Sequence, residues 1–302
     1  MRYWSIAISL MALFSACSSG EEGQGGNHEK PDKAIPITLS CGIQGAGNAR
    51  ATDYGYESGD RIGLFVVNYE GGKPGTLQTT GNHVDNMRFT YGGTWTPDSP
   101  IYWQDEETKA DFYCYYPYAG VTDITSLPFE VKADQSTETA YKASEFLYGK
   151  KTGVTPTESA VNITTYHLLS CAVVEVHPGN GFTQESLESS QVGVKINGAR
   201  TKAAVNLKEG TVAATGEPAS IVPLKTGEPL TYKALVVPQT IAADNFITVT
   251  VDGREFKLKK EATFVGGKRY TIPVTVSKTS NGINVGIGDW EDEDIDYGGV
   301  AE

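Results

Sequence analysis

The stretch Phe246-Ile247-Thr248-Val249-Thr250-Val251-Asp252-Gly253-Arg254-Glu255-Phe256-Lys257-Leu258 reads as two strands joined by a tight turn. Asp-Gly readily adopts the positive φ angles of a type I′ turn, so the two runs are expected to fold back on each other as an antiparallel hairpin. Working outward, Tyr270, Ile272, Val274 and Val276 alternate with other residues, and Ile283, Val285 and Ile287 make a last strand before Trp290. A period of two marks a strand with one face inward. Towards the N-terminus, residues 161–164, 168–176, 192–196, 203–207 and 234–237 read as further strands, the last ended by Pro238.

The first half of the chain follows the same grammar. Ile37, Leu39, Cys41 and Ile43 alternate with Thr38, Ser40 and Gly42, which predicts a half-buried first strand. The glycine-rich segment 44–52 then breaks the pattern and makes an accessible loop with Arg50 in it. Strands follow at 62–67 and 86–91. Ala110-Asp111-Phe112-Tyr113-Cys114-Tyr115-Tyr116 carries aromatics on both faces before Pro117, which suggests a central strand covered on two sides. Closely spaced short strands separated by turn residues describe an all-β chain of antiparallel sandwiches. Gly, Thr, Val and Tyr are abundant, and no long stretch keeps apolar residues at helical spacing.

The first twenty residues have a different character. Arg2, an apolar run from Tyr3 to Phe14 and the small residues Ser15-Ala16 lead into Cys17 and a polar stretch. The apolar run is too short for the ~20 residues that span a bilayer, so it reads as a secretory signal. It resembles a bacterial type II lipobox, with residues 1–16 as signal peptide and Cys17 as the lipidated first residue. An ordinary secretory signal with an incidental cysteine is the plainer alternative. Residues 17–33 hold Gly, Ser, Pro and charge without periodicity and read as a flexible tether. The roughly 280 remaining residues exceed what one small sandwich needs, so two domains are expected, at 34–158 and 159–302 with an acidic tail.

The formal charge of -12 becomes -13 once Arg2 is removed with the signal. An acidic balance without a basic cluster repels phosphate backbones, so nucleic acid is not an expected partner. Cys41, Cys114 and Cys171 lie in apolar strand-like runs and read as buried thiols, one disulfide being the alternative. Their wide spacing, and four histidines (His28, His83, His167 and His177) scattered among different segments, give no metal site. There is no Gly-x-Ser-x-Gly elbow, and Gly72-Lys73 and Gly149-Lys150 lack the rest of a phosphate loop. The run Asp289–Gly298 has Tyr297 where a calcium loop needs glycine. The chain therefore reads as a non-enzyme without a cofactor.

The order of segments resembles the fimbrillin-like family, the type V pilins and their accessory subunits. The likeness rests on the lipobox, Ala49-Arg50-Ala51-Thr52, Gly59-Asp60-Arg61-Ile62-Gly63-Leu64-Phe65, residues 111–118, Tyr166-His167-Leu168-Leu169-Ser170, Phe264-Val265-Gly266-Gly267-Lys268-Arg269-Tyr270 and Trp290. The resemblance implies two tandem transthyretin-like antiparallel β-sandwich domains. It also implies passage to the outer membrane surface as a lipoprotein and cleavage by an arginine-specific protease between Arg50 and Ala51. Loss of the first strand (Ile37, Leu39, Cys41, Ile43) then opens a groove that a donor strand from another subunit fills. Ile283, Val285 and Ile287 form the candidate donor, or equally the last strand of their own domain. Glu21-Glu22 looks like an acidic signal for the outer face. Partners are then other fimbrial subunits, the outer membrane through the lipid, and a host protein or glycan as adhesion ligand. The rival reading is a surface glycan-binding lipoprotein in which Trp95, Trp103 and the tyrosines stack on sugars; it requires those rings to be exposed.

Overall fold

The computed structural model describes residues 34–44, 55–242 and 244–278, together with the backbone of 279 and 282–287. The signal, Cys17, the tether, Arg50, Ala51 and the acidic run from Asp289 lie outside the described residues. The described chain is all-β apart from two short helices. β1 (Leu39–Ile43), β2 (Arg61–Asn68), β3 (Val84–Tyr91), β4 (Trp95–Pro97) and β5 (Ala110–Tyr116) come first. β6 (Leu127–Glu130), the helix α1 (Glu138–Lys142), β7 (Leu147–Val154) and β8 (Val161–His167) follow. All of these strands except β6 form one seven-stranded sheet in the order β1-β8-β7-β5-β2-β3-β4.

The rest of the chain supplies β9 (Ser170–Pro178), α2 (Gln184–Glu188), β10 (Val192–Asn206), β11 (Thr211–Ile221), β12 (Leu224–Lys225) and β13 (Thr231–Val236). After these come β14 (Gln239–Ile241), β15 (Ile247–Val251), β16 (Arg254–Leu258), β17 (Ala262–Phe264), β18 (Arg269–Thr279) and β19 (Gly282–Ile287). One sheet has the order β11-β10-β15-β16 with β6 also paired to β10, a second runs β12-β13-β9-β18-β19, and β14 pairs with β17. Glu158 falls in the connection between β7 and β8, inside the seven-stranded sheet, and β6 joins a sheet otherwise built from residues beyond 190.

The Asp-Gly hairpin is present: Val251 faces Arg254, and Asp252 and Gly253 have φ of 47° and 82°. Residues 192–196 and 203–207, read from sequence as two strands, fall on one long β10 that ends at Asn206. Register shifts between Ile196 and Ala199 and again between Arg200 and Lys202 bend it, so that its first part pairs with β15 and its second with β6 and β11. Two pairings depart from the antiparallel expectation, β1 with β8 and β9 with β18, both parallel. Neither pair is joined by a short turn, and it is the turn that forces antiparallel direction on a hairpin.

Alternation along β2 and β5 sorts the core onto two faces. Ile62, Leu64, Val66, Ala110, Phe112 and Cys114 enter one apolar cluster, while Phe65, Val67, Tyr113 and Tyr115 enter the other. The aromatic run 112–116 thus belongs to a central strand covered on both sides, as its composition suggests. The first cluster is closed by Ile37 and Leu39 from the N-terminal segment. The second continues without a break into residues of β9, β10, β13, β15 and β18.

Gly63 shows how tightly the sheet is filled. A Cβ at this position would lie 2.2 Å from Tyr115 Cε1 and 2.7 Å from Asn86 Oδ1. The Tyr115 ring has little freedom to yield, because its hydroxyl lies 2.7 Å from both Asn86 Oδ1 and Ala119 O. Its face also stacks on Phe65 and Phe146. Gly63→Ala is expected to lower unfolding free energy by about 2–3 kcal/mol through overpacking, measured by urea denaturation. A change below about 0.5 kcal/mol would mean that Tyr115 is free to move.

Candidate functional site

The N-terminal segment changes partner along its length. Trp103 N donates to Ile35 O and Ile37 N donates to Ile101 O, each at 2.9 Å. Val161 N then donates to Thr38 O at 2.8 Å, and from Leu39↔Val161 to Ile43↔Thr165 the chain runs parallel to β8. β7 pairs with β8 only at Leu147↔His167 and Tyr148↔Tyr166. Over residues 161–165, β1 is therefore the ladder partner of β8 among the described residues, and each strand completes the other.

The alternation read from sequence decides which side chains enter the interior. Ile37 and Leu39 are buried, Cys41 and Ile43 are half-buried, and Thr38, Ser40 and Gly42 face outward. The buried pair shares one apolar cluster, the slot, with Leu64, Phe89, Trp95, Trp103, Phe112 and Ile163 among others. Trp103 meets Phe112 edge-on, with ring centroids 5.4 Å apart. Without β1 this slot would present aromatic and aliphatic side chains beside a row of unpaired backbone groups on β8.

At its far end β1 is held by a polar clamp inside an aromatic cluster. Trp95 Nε1 on β4 donates to Cys41 O at 3.2 Å, so the two edges of the seven-stranded sheet meet there. Thr165 Oγ1 donates to Gly42 O at 3.1 Å and lies 2.8 Å from the Tyr56 hydroxyl. Tyr56 packs edge-on against Trp95 and Tyr116. Burial holds the Tyr56 hydroxyl well above the usual phenol range. Gln44 and Gly55, the last and first described residues either side of the 45–54 segment, lie next to this clamp in sequence.

Sequence reasoning located β1 but not its clamp. Tyr56 and Thr165 are 109 residues apart, and no spacing rule connects them. The tryptophans offered for sugar stacking are core residues: Trp95 is 7% exposed and Trp103 4% exposed. This removes the two tryptophan faces from the glycan-binding reading; of the tyrosines it invoked, Tyr102 is 44% exposed while Tyr113, Tyr115 and Tyr148 are buried. Among the described residues no cluster of three or more His, Cys, Asp or Glu side chains could hold a metal ion. His167 Nδ1 lies 2.8 Å from Glu145 Oε2, and His83 Nε2 lies 2.7 Å from Tyr102 O, both structural contacts.

β19, which carries Ile283, Val285 and Ile287, pairs antiparallel with β18 as the edge strand of its sheet, with Val276 opposite Val285. The side chains of the candidate donor, the lipidation residue Cys17 and the processing residues Arg50 and Ala51 lie outside the described residues.

Comparison with known proteins places this architecture. A family model described as fimbrillin-like matches residues 49–290. A Bacteroides uniformis protein named as a fimbrium subunit, Fim1C, is 25% identical over 305 residues, covering 96% of each chain. A Bacteroides ovatus protein named as a fimbrium tip subunit is 26% identical over 197 residues, 58% of this chain and 35% of that one. Among solved structures, a B. uniformis protein described as a cell adhesion protein aligns with a TM-score of 0.63 at 22% identity, covering 85% of this chain and 98% of the other. A B. ovatus protein described in the same way aligns at 0.65 and 18% identity, covering 86% and 97%. These two structural likenesses speak for the fold alone. The family match begins after β1 and spans β2 to β19, and with it the chain belongs to the fimbrillin-like family.

Proposed function

We propose that this protein is a structural or accessory subunit of a cell-surface fimbria, a type V pilus, that assembles by donor-strand exchange and supports adhesion. It travels as a lipoprotein anchored through Cys17 at the outer membrane. Cleavage after Arg50 detaches the lipid and the first strand together, and a strand from another fimbrial subunit takes the vacated place. Two tandem transthyretin-like sandwiches are the proposed organisation of the two halves.

The observation that carries this reading is the position of β1. It is an edge strand whose inward side chains fill an apolar slot, and it leads directly into the segment that contains Arg50. Its parallel pairing with β8 adds to the case. A parallel ladder is slightly less stable per residue than an antiparallel one, so β8 gains when a donor that enters antiparallel takes the place of β1. β19 meets the needs of a donor in its alternation and its edge position, and donation requires it to leave β18.

The test is the N-terminal sequence and intact mass of the protein taken from the native cell surface, beside an Arg50→Ala variant. The expected result is a mature start at Ala51 with laddered oligomers in the parent protein. The variant should retain a lipidated Cys17 and form no ladder. A Cys17 start in both proteins overturns the processing scheme.

A further inference from the structure

Cys41 Sγ lies 3.9 Å from Cys114 Sγ, although the two residues are 73 positions apart and sit on β1 and β5. From this proximity we propose that Cys41 and Cys114 are a redox pair that closes into a reversible disulfide, tying the first strand covalently into its slot. The chemistry of the pair stands on its own; its consequence for assembly rests on the exchange proposed above.

The geometry singles out these two thiols. Cys171 belongs to β9 in a different sheet, where its Sγ lies 3.6 Å from the Tyr141 hydroxyl. Cys114 belongs to the slot cluster and Cys41 packs against it. A disulfide requires the sulfurs to approach to about 2 Å, a movement of roughly 2 Å from the reduced arrangement. Cys41 is the side that moves more readily, because β1 is a short strand at the edge of its sheet and β5 lies at the sheet's centre. Cys114 is fully buried on the central β5, which fixes the other end.

The two sulfurs also differ in their readiness to react. The Cys114 thiol aimed at Cys41 lowers the Cys41 pKa, helped by the Tyr56 and Thr165 hydroxyls and opposed by burial. Cys114, fully buried beside Cys41, is raised well above the usual range by that contact and by its burial. Cys41, half-buried on an edge strand where Cys114 is fully buried, is the thiol an external oxidant can reach and so the first nucleophile. Its thiolate attacks an oxidised disulfide, such as oxidised glutathione or a disulfide oxidoreductase of the exported compartment, and forms a mixed disulfide while one thiolate leaves. Cys114 then gives up its proton and attacks Cys41 Sγ, releasing the second thiolate. Two protein thiols lose two protons and two electrons, and the oxidant's disulfide becomes two thiols.

A chain cut after Arg50 but cross-linked in this way keeps its first strand, because Cys41 is still bonded to Cys114. Reduction frees it. The pair thus separates proteolysis from strand release, and a processed subunit stays closed until a thiol reductant acts.

The full-length chain, reduced and then exposed to oxidised glutathione, should lose two hydrogens in intact mass. Peptide mapping under non-reducing conditions should join Cys41 to Cys114 and find Cys171 alkylated as a thiol. Cys114→Ala should abolish the cross-link, and Cys171→Ser should retain it. A folded chain in which Cys41 and Cys114 remain fully alkylatable after oxidation overturns the proposal, as does a bridge that includes Cys171.

Limited trypsin cleavage in the 45–54 segment separates this proposal from the exchange reading. Size-exclusion chromatography in the presence of a donor peptide should release the N-terminal fragment from the reduced protein and not from the oxidised one. If the cross-link forms and the reduced fragment still never leaves, strand exchange fails while the thiol pair stands. If the fragment leaves equally under both conditions and no cross-link is found, the latch fails while exchange stands.

Discussion

A chain that begins at Ala51 is expected to be less stable than the chain beginning at Ala34 by roughly 5 kcal/mol, measured as the difference in urea unfolding free energy. The loss follows from burial: Ile37 and Leu39 are each packed into the slot and contribute about 2–3 kcal/mol apiece by transfer from water. Removing them also leaves the 161–165 stretch of β8 without its ladder partner. The same truncation takes away the carbonyl to which Trp95 Nε1 donates and uncovers Trp103, so tryptophan emission should shift to the red. A synthetic peptide of residues 36–43 should restore both stability and emission in proportion to its concentration, as a ligand that binds only the folded state must. Unchanged stability and emission in the truncated chain would show that β1 is not a structural part of the slot, and the exchange reading would fall with it.

The second large effect is expected at Gln135, which is completely buried. Its Nε2 donates to Leu235 O and its Oε1 accepts from Leu235 N, both at 2.8 Å, across 100 residues of chain. β12 pairs with β13 only as far as Leu224↔Lys233, so at Leu235 the outer edge of β13 has no strand beside it. The glutamine amide stands in for one. Gln135→Leu keeps the volume but strands a buried N–H and a buried C=O, each costing about 1–3 kcal/mol. A loss of about 3 kcal/mol is expected, and Gln135→Glu should not restore it, because a carboxylate cannot donate to Leu235 O. A loss below 1 kcal/mol would mean that water replaces the amide at this edge. Gln239 does the same work at the bend in β10, accepting from Arg200 N at 2.8 Å and donating to Arg200 O at 2.9 Å.

Much of this molecule is legible residue by residue. The alternation of Ile37, Leu39, Cys41 and Ile43 predicts which side of β1 turns inward, and the structure buries or half-buries those four and exposes the residues between them. The Asp252-Gly253 turn predicts both a hairpin and its register. The aromatic run 112–116 predicts a strand covered on both faces. Each of these readings depends on geometry within a few residues: the two-residue period of an extended chain, or the positive φ that a tight turn demands. The family, too, is legible, since it is carried by the order of short segments along the chain.

Legible in the residues alone are therefore the all-β class, the inward face of alternating strands such as β1, and the family. The packing of distant segments sets the rest: β1 runs parallel to β8, Trp95 and Trp103 line a slot, Tyr56 and Thr165 clamp its end, and Cys41 meets Cys114. Local rules reach as far as a turn, where a short connection sets direction and register. Beyond it, a strand can lie against any edge that offers unpaired hydrogen bonds and a matching apolar face, and the choice among edges belongs to the packing of the whole core.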